Sequence, residues 1–346
     1  MTRSIKRRKF LKTALQGAGI GLAGVYALPL PGKAQAADIR IGVVGLAVHS
    51  AAFSQILNDP QKAADVQGCK IVALYHPPGN PDVDFTKEQL AGFEKTIRDA
   101  GVKIVPTMNE MLALCDVVMI ETNDGRPHFN EVMPALKAGK PVFVDKPVAE
   151  NLAGVLKIFD AAAKMKVPIF TSSALRYVDN IATIDKSKVL GADTYSPAAL
   201  EKSHTDLFWY GIHAVEPLFA VMGAGCTEVM QPRHSENEDL VIGFWDDRRT
   251  GGRRTGTVRG LRSGKRGFGG TFFTENSIVQ MDTFTGYRSL VVQVVSFFKT
   301  KIPPVPAEET IEIYAFMEAA MESRKNGGKK VNIAETIAKA RKSNHQ

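Results

Sequence analysis

The chain has 346 residues, of which 44% are hydrophobic and 23% are charged, a composition typical of globular proteins and a length that favours two domains. Its formal net charge of +8 would suit a nucleic-acid partner. Residues 1–36, however, hold seven lysines and arginines and no acidic residue, so the remainder carries only +1. Because a nearly neutral body lacks the basic surface that a phosphate backbone needs, we expect no nucleic-acid partner.

Residues 1–36 have the plan of a signal peptide. They begin with basic residues, continue with an apolar stretch at about 13–30 and end in an Ala-Gln-Ala triplet, as cleavable export signals do. The pair Arg7-Arg8 resembles the twin-arginine signal. An uncleaved membrane anchor is the alternative, which the glycines of the stretch disfavour. We expect export machinery to recognise this segment and the protein to be periplasmic or otherwise exported.

The three cysteines are Cys69, Cys115 and Cys226. They are too few for a disulfide framework and show no C-x-x-C spacing. Because Cys69 and Cys115 lie in apolar, strand-like runs, we interpret them as small buried hydrophobic residues. The sequence therefore predicts no metal site.

Residues 37–172 alternate strand patterns with helix patterns. Apolar runs rich in β-branched residues predict strands at 39–46, 69–76, 102–107, 116–123, 141–147 and 167–173. Amphipathic spacing predicts helices at 50–59, 87–100, 108–115, 126–139 and 151–166. Repeated β-α units form a parallel, doubly wound sheet, whose ligands bind outside the carboxyl ends of the strands. We predict an N-terminal Rossmann domain.

Residues 173–346 follow a different rhythm. A helix at about 206–222 precedes short runs joined by glycine and Asp/Asn turns, which predict antiparallel strands. These runs are 227–234, 239–247, 255–263, 269–276 and 277–284. Two helices, 289–301 and 306–328, close the chain. The fold class is therefore α/β, with the Rossmann sheet followed by an α+β domain. We expect this second domain to have a large, mainly antiparallel open sheet and C-terminal helices that return toward the first domain.

The first β-α junction aligns with the dinucleotide fingerprint G-x-G-x-x-G at Gly45, Ala47 and Ser50. Alanine allows a fairly close approach of the backbone to a pyrophosphate, and serine can cap the following helix. An ordinary β-α turn is the alternative. The second strand ends in Tyr75 and His76, where an acidic residue would hold the adenosine ribose. The choice between NAD and NADP is therefore left open.

Lys146 follows an apolar strand and precedes a proline in the stretch KPVFVDKPVAENL, residues 140–152. One interpretation is a surface lysine that pairs with Asp145. The other is a proton-handling group at the carboxyl edge of the sheet, where burial and positive neighbours lower a lysine pKa.

Four features in chain order resemble the glucose–fructose oxidoreductase / inositol dehydrogenase family, in particular its exported members. They are the glycine turn at 42–50, the block at 121–147, the segment at 208–223 and the helical tail at 306–327. The resemblance covers nearly everything after residue 36 and implies that the second domain binds substrate and forms dimers or tetramers.

The resemblance also implies roles for individual residues. Lys146 and His213 would handle the proton, and Trp209, Tyr210 and Glu216 would contact the substrate. The residues implied in cofactor binding are Gly45, Ala47, Ser50, Thr122, Asn123, His128, Lys146 and Pro147. Typical members carry Asp-x-Gly-x-His, but here Trp209 stands at the aspartate position, so the relay has lost a carboxylate. Four other histidines are interpreted as structural: His49, His76, His204 and His234.

The sequence thus predicts an NAD- or NADP-dependent oxidoreductase acting on a sugar or polyol hydroxyl. One alternative is a glycosidase or lyase that keeps its NAD bound and oxidises its substrate transiently. A second alternative is a non-catalytic binding protein on a degenerate fold, since fold alone does not confer activity.

Overall fold

The structure is a computed structural model that describes residues 37–83, 85–247 and 249–344. The signal peptide expected at residues 1–36 lies outside the described residues. Residues from Ala37 onward form one compact unit that contains two sheets. Within the described residues, no helix has the length and apolar character that crossing a membrane requires.

The first sheet is parallel throughout, with strand order β3-β2-β1-β4-β5-β6. Its strands are β1 Ile39–Val44, β2 Cys69–Tyr75, β3 Lys103–Val105, β4 Val117–Ile120, β5 Val142–Val144 and β6 Ile169–Phe170. Its helices are α1 Val48–Asn58, α2 Lys87–Asp99, α3 Met108–Leu114, α4 His128–Lys137 and α5 Leu152–Met165. This is the doubly wound Rossmann order, in which β1 and β4 flank the point where the strand order reverses.

Continuous burial explains the parallel sheet. All residues of β4 and β5 are buried, as expected for strands with helices on both faces. On one face Phe53 of α1 and Ile97 of α2 pack with Ile41 and Val43. The opposite face is covered by α3, α4 and α5. The carboxyl ends of β1, β4 and β5 are consequently left free to form a site.

The second sheet has seven strands in the order β12-β11-β7-β10-β9-β8-β13. The strands are β7 Val189–Pro197, β8 Cys226–His234, β9 Glu238–Asp247, β10 Gly252–Leu261, β11 Gly269–Thr274, β12 Ile278–Gln280 and β13 Val331–Asn332. Most pairs are antiparallel, but β7 and β10 run parallel. The predicted fold class is confirmed. The mainly antiparallel character of the second sheet agrees with the prediction, but the sequence analysis did not predict β7, which inserts between β10 and β11 and runs parallel to β10.

Four helices belong to the second half of the described chain: α6 Ile212–Met222, α7 Arg288–Thr300, α8 Ala307–Lys325 and α9 Ile333–Ser343. Four short 3-10 segments lie at Ala64–Val66, Ala174–Tyr177, Asp179–Thr183 and Lys186–Lys188. Every residue of α6 is buried. The apolar side of α7 packs on the first sheet beside α1 through Leu290, Val294 and Phe297. The first sheet is therefore completed by residues from the end of the chain.

The predicted helix at 206–222 begins later, at Ile212. Gly211 precedes it, and a Cβ there would lie 2.7 Å from Leu207 Cδ2 and 3.0 Å from Leu207 O. Residues 206–211 therefore form a tight turn instead of a further helical turn. This turn carries Tyr210 to the side of the molecule where the strands of the first sheet end.

Candidate active site

A cavity of about 320 Å³ opens at the carboxyl ends of β1, β5 and β6. Its walls come from both halves of the described chain, since residues after the strands of the first sheet face the start of α6, the aromatic residues before α7 and Leu290 within α7. The polar side chains that bear on its chemistry are His49, Asp145, Lys146, Ser173, Tyr210 and His213. A cavity at this edge is where doubly wound sheets bind their ligands.

Lys146 and His213 both line this cavity. The Lys146 Nζ atom lies 6.0 Å from the centroid of the Tyr210 ring, and the Tyr210 ring lies 5.0 Å from the His213 ring. The segment after Lys146 is held from α8, where the Tyr314 hydroxyl accepts a hydrogen bond of 2.9 Å from Val148 N–H. The structure therefore brings together the two side chains to which the sequence analysis assigned the proton.

The His213 ring is buried, with 8% of the residue exposed. Its Nδ1 atom is 2.7 Å from Ser173 Oγ, and its ring meets Tyr210 and Phe268 edge-on. Burial, followed by the nearby charges of Lys146 and His49, holds the pKa of His213 well below its usual range. The imidazole is therefore neutral at physiological pH.

His49 and Asp145 form a second polar pair in the cavity wall. His49 Nδ1 lies 2.6 Å from Asp145 Oδ2. Burial opposes ionisation of Asp145, but His49 and the positive charge of Lys146 outweigh it and lower the pKa of this carboxyl to about 2. The interpretation of His49 as structural missed this contact. The available signal was its place next to the β1-α1 junction, in the first turn of α1, because this junction faces ligands in doubly wound sheets.

Glu121 is a further residue that the sequence analysis did not single out. It follows β4 and is fully buried, next to Asp145, because Ile120 and Val144 pair in the sheet. Both Glu121 carboxyl oxygens and Asp145 Oδ1 have no hydrogen-bond partner among the described residues. Burial, together with the Asp145 charge, holds the pKa of Glu121 well above its usual range.

The two carboxyl groups are therefore in different states, with Glu121 protonated and Asp145 ionised. The Glu121 carboxyl oxygens and Asp145 Oδ1 are the unpartnered polar atoms of this cluster among the described residues. His49, Glu121 and Asp145 also offer ligand atoms that all lie within 4.8 Å of one another. A divalent cation accepts such nitrogen and oxygen atoms, so the cluster can hold a proton or a cation.

The turn after β1 fits a dinucleotide pyrophosphate. Gly45 has φ +101°, and a Cβ there would lie 2.4 Å from Thr122 N, so a residue with a side chain would displace the turn. Helix α1 begins directly after Ala47, with no side-chain hydrogen bond capping its first amides. These amides can therefore bind an anion, and Ala47 lines the cavity.

The expectation that Ser50 caps this helix is wrong. Ser50 is the third residue of α1 and is fully buried. Its hydroxyl accepts a hydrogen bond from Ala47 N–H and donates one to Ala47 O, both at 2.8 Å. The side chain braces the turn from within the first helical turn and does not face the cavity.

A second, smaller cavity of about 20 Å³ lies on the other side of the glycine turn and is lined by Gly45, Thr122 and Asn123. Residues 77–83 cross it. Asn123 Nδ2 donates to Val83 O at 2.8 Å, and Asp82 pairs with Arg126 at 2.7 Å. Asp82 is thus engaged by an arginine and does not replace the acid missing from the end of β2.

His128 and Pro147 lie behind the site, contrary to their expected contact with a cofactor. Both are buried and line neither cavity. The His128 ring nitrogens face backbone carbonyls, with Nδ1 3.1 Å from Val148 O and Nε2 2.9 Å from Thr122 O. The ring therefore ties the end of β4 to the segment after Lys146.

Two expected substrate contacts are also corrected. The Trp209 ring packs against His204, with ring centroids 5.0 Å apart, and does not line the cavity. The Glu216 carboxylate is 2% exposed and accepts hydrogen bonds from Ser173 N–H and Arg176 Nη1, both at 3.1 Å. Its acceptors are used inside the protein, so it braces the site. Tyr210 does line the cavity.

Comparison with known proteins finds relatives for the segment that forms the first sheet. Residues 39–173 match the model of the GFO_IDH_MocA family, described as an oxidoreductase family with an NAD-binding Rossmann fold. Inositol 2-dehydrogenase of Agrobacterium fabrum is 30% identical over 128 residues, which are 36% of this chain and 33% of the relative. The enzyme of the same name from Acidothermus cellulolyticus is 30% identical over 125 residues, 36% and 32% of the two chains. The chain thus spans about a third of the length of the curated relatives that it matches.

Solved structures share the fold over a longer range. A putative myo-inositol dehydrogenase from Sinorhizobium meliloti superposes with a TM-score of 0.69 at 14% identity, covering 85% of this chain and 99% of the other. Scyllo-inositol dehydrogenase from Lactobacillus casei, solved with bound NAD(H) and scyllo-inositol, gives 0.64 at 15% identity and covers 86% and 99%. At these identities the likeness is one of fold.

The matched segment contains the Gly45 turn, Glu121, Asp145 and Lys146, so one wall of the cavity lies inside it. The prediction of a nicotinamide dinucleotide cofactor is confirmed by the NAD-binding description of that segment. Through residues 39–173, this chain is similar to the GFO_IDH_MocA oxidoreductase family, whose model describes an NAD-binding Rossmann fold.

Proposed function

We propose that the protein is an oxidoreductase that moves a hydride between a nicotinamide dinucleotide and a hydroxyl-bearing carbon of a sugar or polyol. The observation that carries this proposal is the convergence of Lys146 and His213 on one cavity beside the Gly45 turn. Inositol dehydrogenases among the relatives support the same substrate class.

A bound nicotinamide supplies or accepts the hydride, and the protein orients the substrate and handles its proton. The Gly45 turn and the first amides of α1 would hold the pyrophosphate, with Thr122 and Asn123 beside it. Lys146 and His213 would contact the reacting oxygen, where a positioned acid or base contributes about 10²- to 10⁴-fold.

The cavity also favours a small, uncharged ring as substrate. Its volume of about 320 Å³ is near the lower end for small-molecule pockets, about 300–1,000 Å³. Tyr210, Phe268 and Phe284 give it aromatic walls that can pack on the apolar face of a sugar ring. Lys146 and His213 line the same cavity and would orient one hydroxyl toward the reaction.

Replacing Lys146 by methionine tests this function. Oxidation of a panel of sugars and polyols, followed as NADH absorbance, should fall by at least about 100-fold, while circular dichroism stays unchanged. Lys157→Met is the matched control, because Lys157 Nζ lies 4.0 Å from the Phe129 ring, away from the cavity. Turnover of the Lys146→Met protein at the wild-type rate would refute the mechanism.

A second candidate, transient oxidation with a retained cofactor, is favoured by one observation. Residues 77–83 are tied across the dinucleotide side of the glycine turn by the Asp82–Arg126 pair and the Asn123 bond. Such a strap would slow cofactor exchange. Product analysis separates the two functions, because glycoside cleavage without net NADH formation indicates the second. Native mass spectrometry that detects no bound or bindable dinucleotide would instead indicate a binding protein.

Export and self-association belong to the same proposal. The leader at residues 1–36 would direct twin-arginine export to the periplasm, and fractionation of cells that express an Arg7→Lys/Arg8→Lys variant tests this.

The second sheet exposes Tyr195 and Ile278, the latter to 69%, which favours a homo-oligomer. Light scattering on the purified protein measures its mass.

A further inference from the structure

We propose that Ser173 fixes the tautomer of His213, so that the imidazole presents an Nε2–H donor to the substrate oxygen. His213 would then bind this oxygen, and Lys146 would carry the proton. The step involving substrate rests on the proposed function, whereas the tautomer itself does not.

The hydrogen bonds of the Ser173 hydroxyl set the direction of the contact. Its oxygen accepts from Leu175 N–H at 3.2 Å and lies 2.7 Å from His213 Nδ1. Ser173 is 1% exposed. If His213 Nδ1 carried the proton, the hydroxyl hydrogen of Ser173 would find no acceptor among the described residues. Because an unmade buried hydrogen bond is costly, the hydroxyl donates to Nδ1.

Both partners of this bond are held in place. Glu216, one turn after His213 on α6, accepts from Ser173 N–H at 3.1 Å. The same carboxylate pairs with Arg176 at 3.1 Å. The Tyr210 and Phe268 rings meet the imidazole edge-on at 5.0 and 5.7 Å. The serine and the ring therefore cannot turn away from each other without disturbing a buried ion pair.

The other ring nitrogen is available to a ligand. Within the described part of the chain, Nε2 of His213 has no hydrogen-bond partner, and the residue lines the cavity. The low pKa of the ring, caused by burial and then by Lys146 and His49, keeps it neutral, so it carries one proton only. With Nδ1 occupied as an acceptor, that proton is on Nε2.

The proposed chemistry in the reducing direction starts from a carbonyl substrate. The substrate carbonyl oxygen accepts hydrogen bonds from His213 Nε2–H and Lys146 Nζ–H. A bound reduced nicotinamide would supply a hydride to the carbonyl carbon, and the electron pair of the C=O π bond would then take a proton from Lys146. The Nε2 proton stays on His213, and oxidation is the reverse. Two donors on one oxygen stabilise the charge that develops there.

Nuclear magnetic resonance of the full chain labelled with ¹⁵N-histidine tests the tautomer. We expect the His213 signals, identified by their loss in His213→Gln, to show protonation at Nε2. Ser173→Ala should shift the equilibrium toward the Nδ1–H form, and Ser173→Thr, which keeps a hydroxyl, should preserve the Nε2–H form. A wild-type ring protonated at Nδ1, or a Ser173→Ala spectrum identical to wild type, would overturn the proposal.

Ser203→Ala is the matched control, because Ser203 Oγ lies 2.9 Å from Nδ1 of His204, outside the cavity. It should change the His204 signals and leave those of His213 unaltered. In turnover assays Ser173→Ala should lower kcat about tenfold with little change in KM, as expected for one hydrogen bond that strengthens with the developing charge. If the Nε2–H tautomer is observed but no polyol or ketone is turned over, the proposed function fails and the tautomer assignment stands.

Discussion

Glu121 has the most unusual environment of the carboxyl groups described above. It lies at a strand end with no exposed surface, and neither of its oxygens has a partner among the described residues. An ionised carboxylate in such a place is very costly, and burial with the Asp145 charge accordingly raises the pKa of Glu121 well above its usual range. His49 and Lys146 keep the neighbouring Asp145 ionised.

Glu121→Gln should therefore stabilise the protein at neutral pH. The raised pKa means that the folded state resists losing this proton, so wild-type stability falls as the pH rises above the unfolded-state value of about 4.3. Glutamine has nearly the same size and does not titrate. We expect the variant to have the larger free energy of unfolding, measured by urea denaturation between pH 5 and 8. Its advantage over the wild type should grow by up to about 1.4 kcal/mol with each pH unit.

Glu308→Gln, at an exposed carboxyl in the first turn of α8, is the control and should show no such trend. The same measurement also distinguishes a protonated Glu121 from a Glu121 that binds a cation. If Glu121 held a cation, chelation would destabilise the wild type, and the glutamine variant would be less stable at every pH.

The sequence revealed some residues of this site and missed others for a physical reason. Lys146 was visible because its setting is local, a strand end followed by proline. Glu121 and Ser173 gain their roles from partners distant in the chain, Asp145 and His213, which local patterns do not contain. Glu216 was misread because its arginine partner lies in a segment without a recognisable pattern.

At the scale of elements, α6 is joined to the segment after β6 by a buried ion pair. Arg176 pairs with Glu216 on α6 and also with Glu309 on α8. Burial raises the pKa of Glu216, although Arg176 opposes this effect. The same carboxylate holds Ser172 and Ser173, so one residue fixes the relative position of two walls of the cavity.

Glu216→Ala should lower the free energy of unfolding by about 3 kcal/mol, because it leaves a buried arginine with one partner and a backbone amide with none. Urea denaturation measures the change. The control is Glu94→Ala on α2, where the pair with Arg98 is exposed and should cost less than about 1 kcal/mol. Equal losses in the two variants would contradict the bracing role.

The elements that could be predicted were those with an unambiguous pattern. The apolar strands and amphipathic helices of the first sheet lie within a few residues of their expected positions. In β7 the sequence VLGADTYSP contains glycine, aspartate and proline, which oppose a strand assignment. Its place comes from pairing with β10 and β11, a tertiary effect.

Over the whole described molecule, the cavity couples the two sheets. Its walls include turns after the first sheet, the start of α6, the aromatic residues before α7 and Leu290 within it, and α7 itself completes the core of the first sheet. A ligand bound here contacts both halves. Binding should therefore stabilise them together, by RT ln(1 + [L]/Kd).

We expect NAD⁺ to raise the temperature of a single unfolding transition, with a gain of about 2.7 kcal/mol at 100 times Kd. Gly45→Ala should abolish this shift, since its Cβ would lie 2.4 Å from Thr122 N and displace the turn. Gly139→Ala is the matched control, because Gly139 also has a positive φ, +66°, but nothing lies within 4 Å of its Cβ position. Both variants place an alanine at a positive φ, so loss of the NAD⁺ response in Gly45→Ala alone, with its unfolding transition still cooperative, assigns the binding site to the Gly45 turn. Two separate transitions, of which NAD⁺ shifts only one, would show that the halves are not coupled through the cavity.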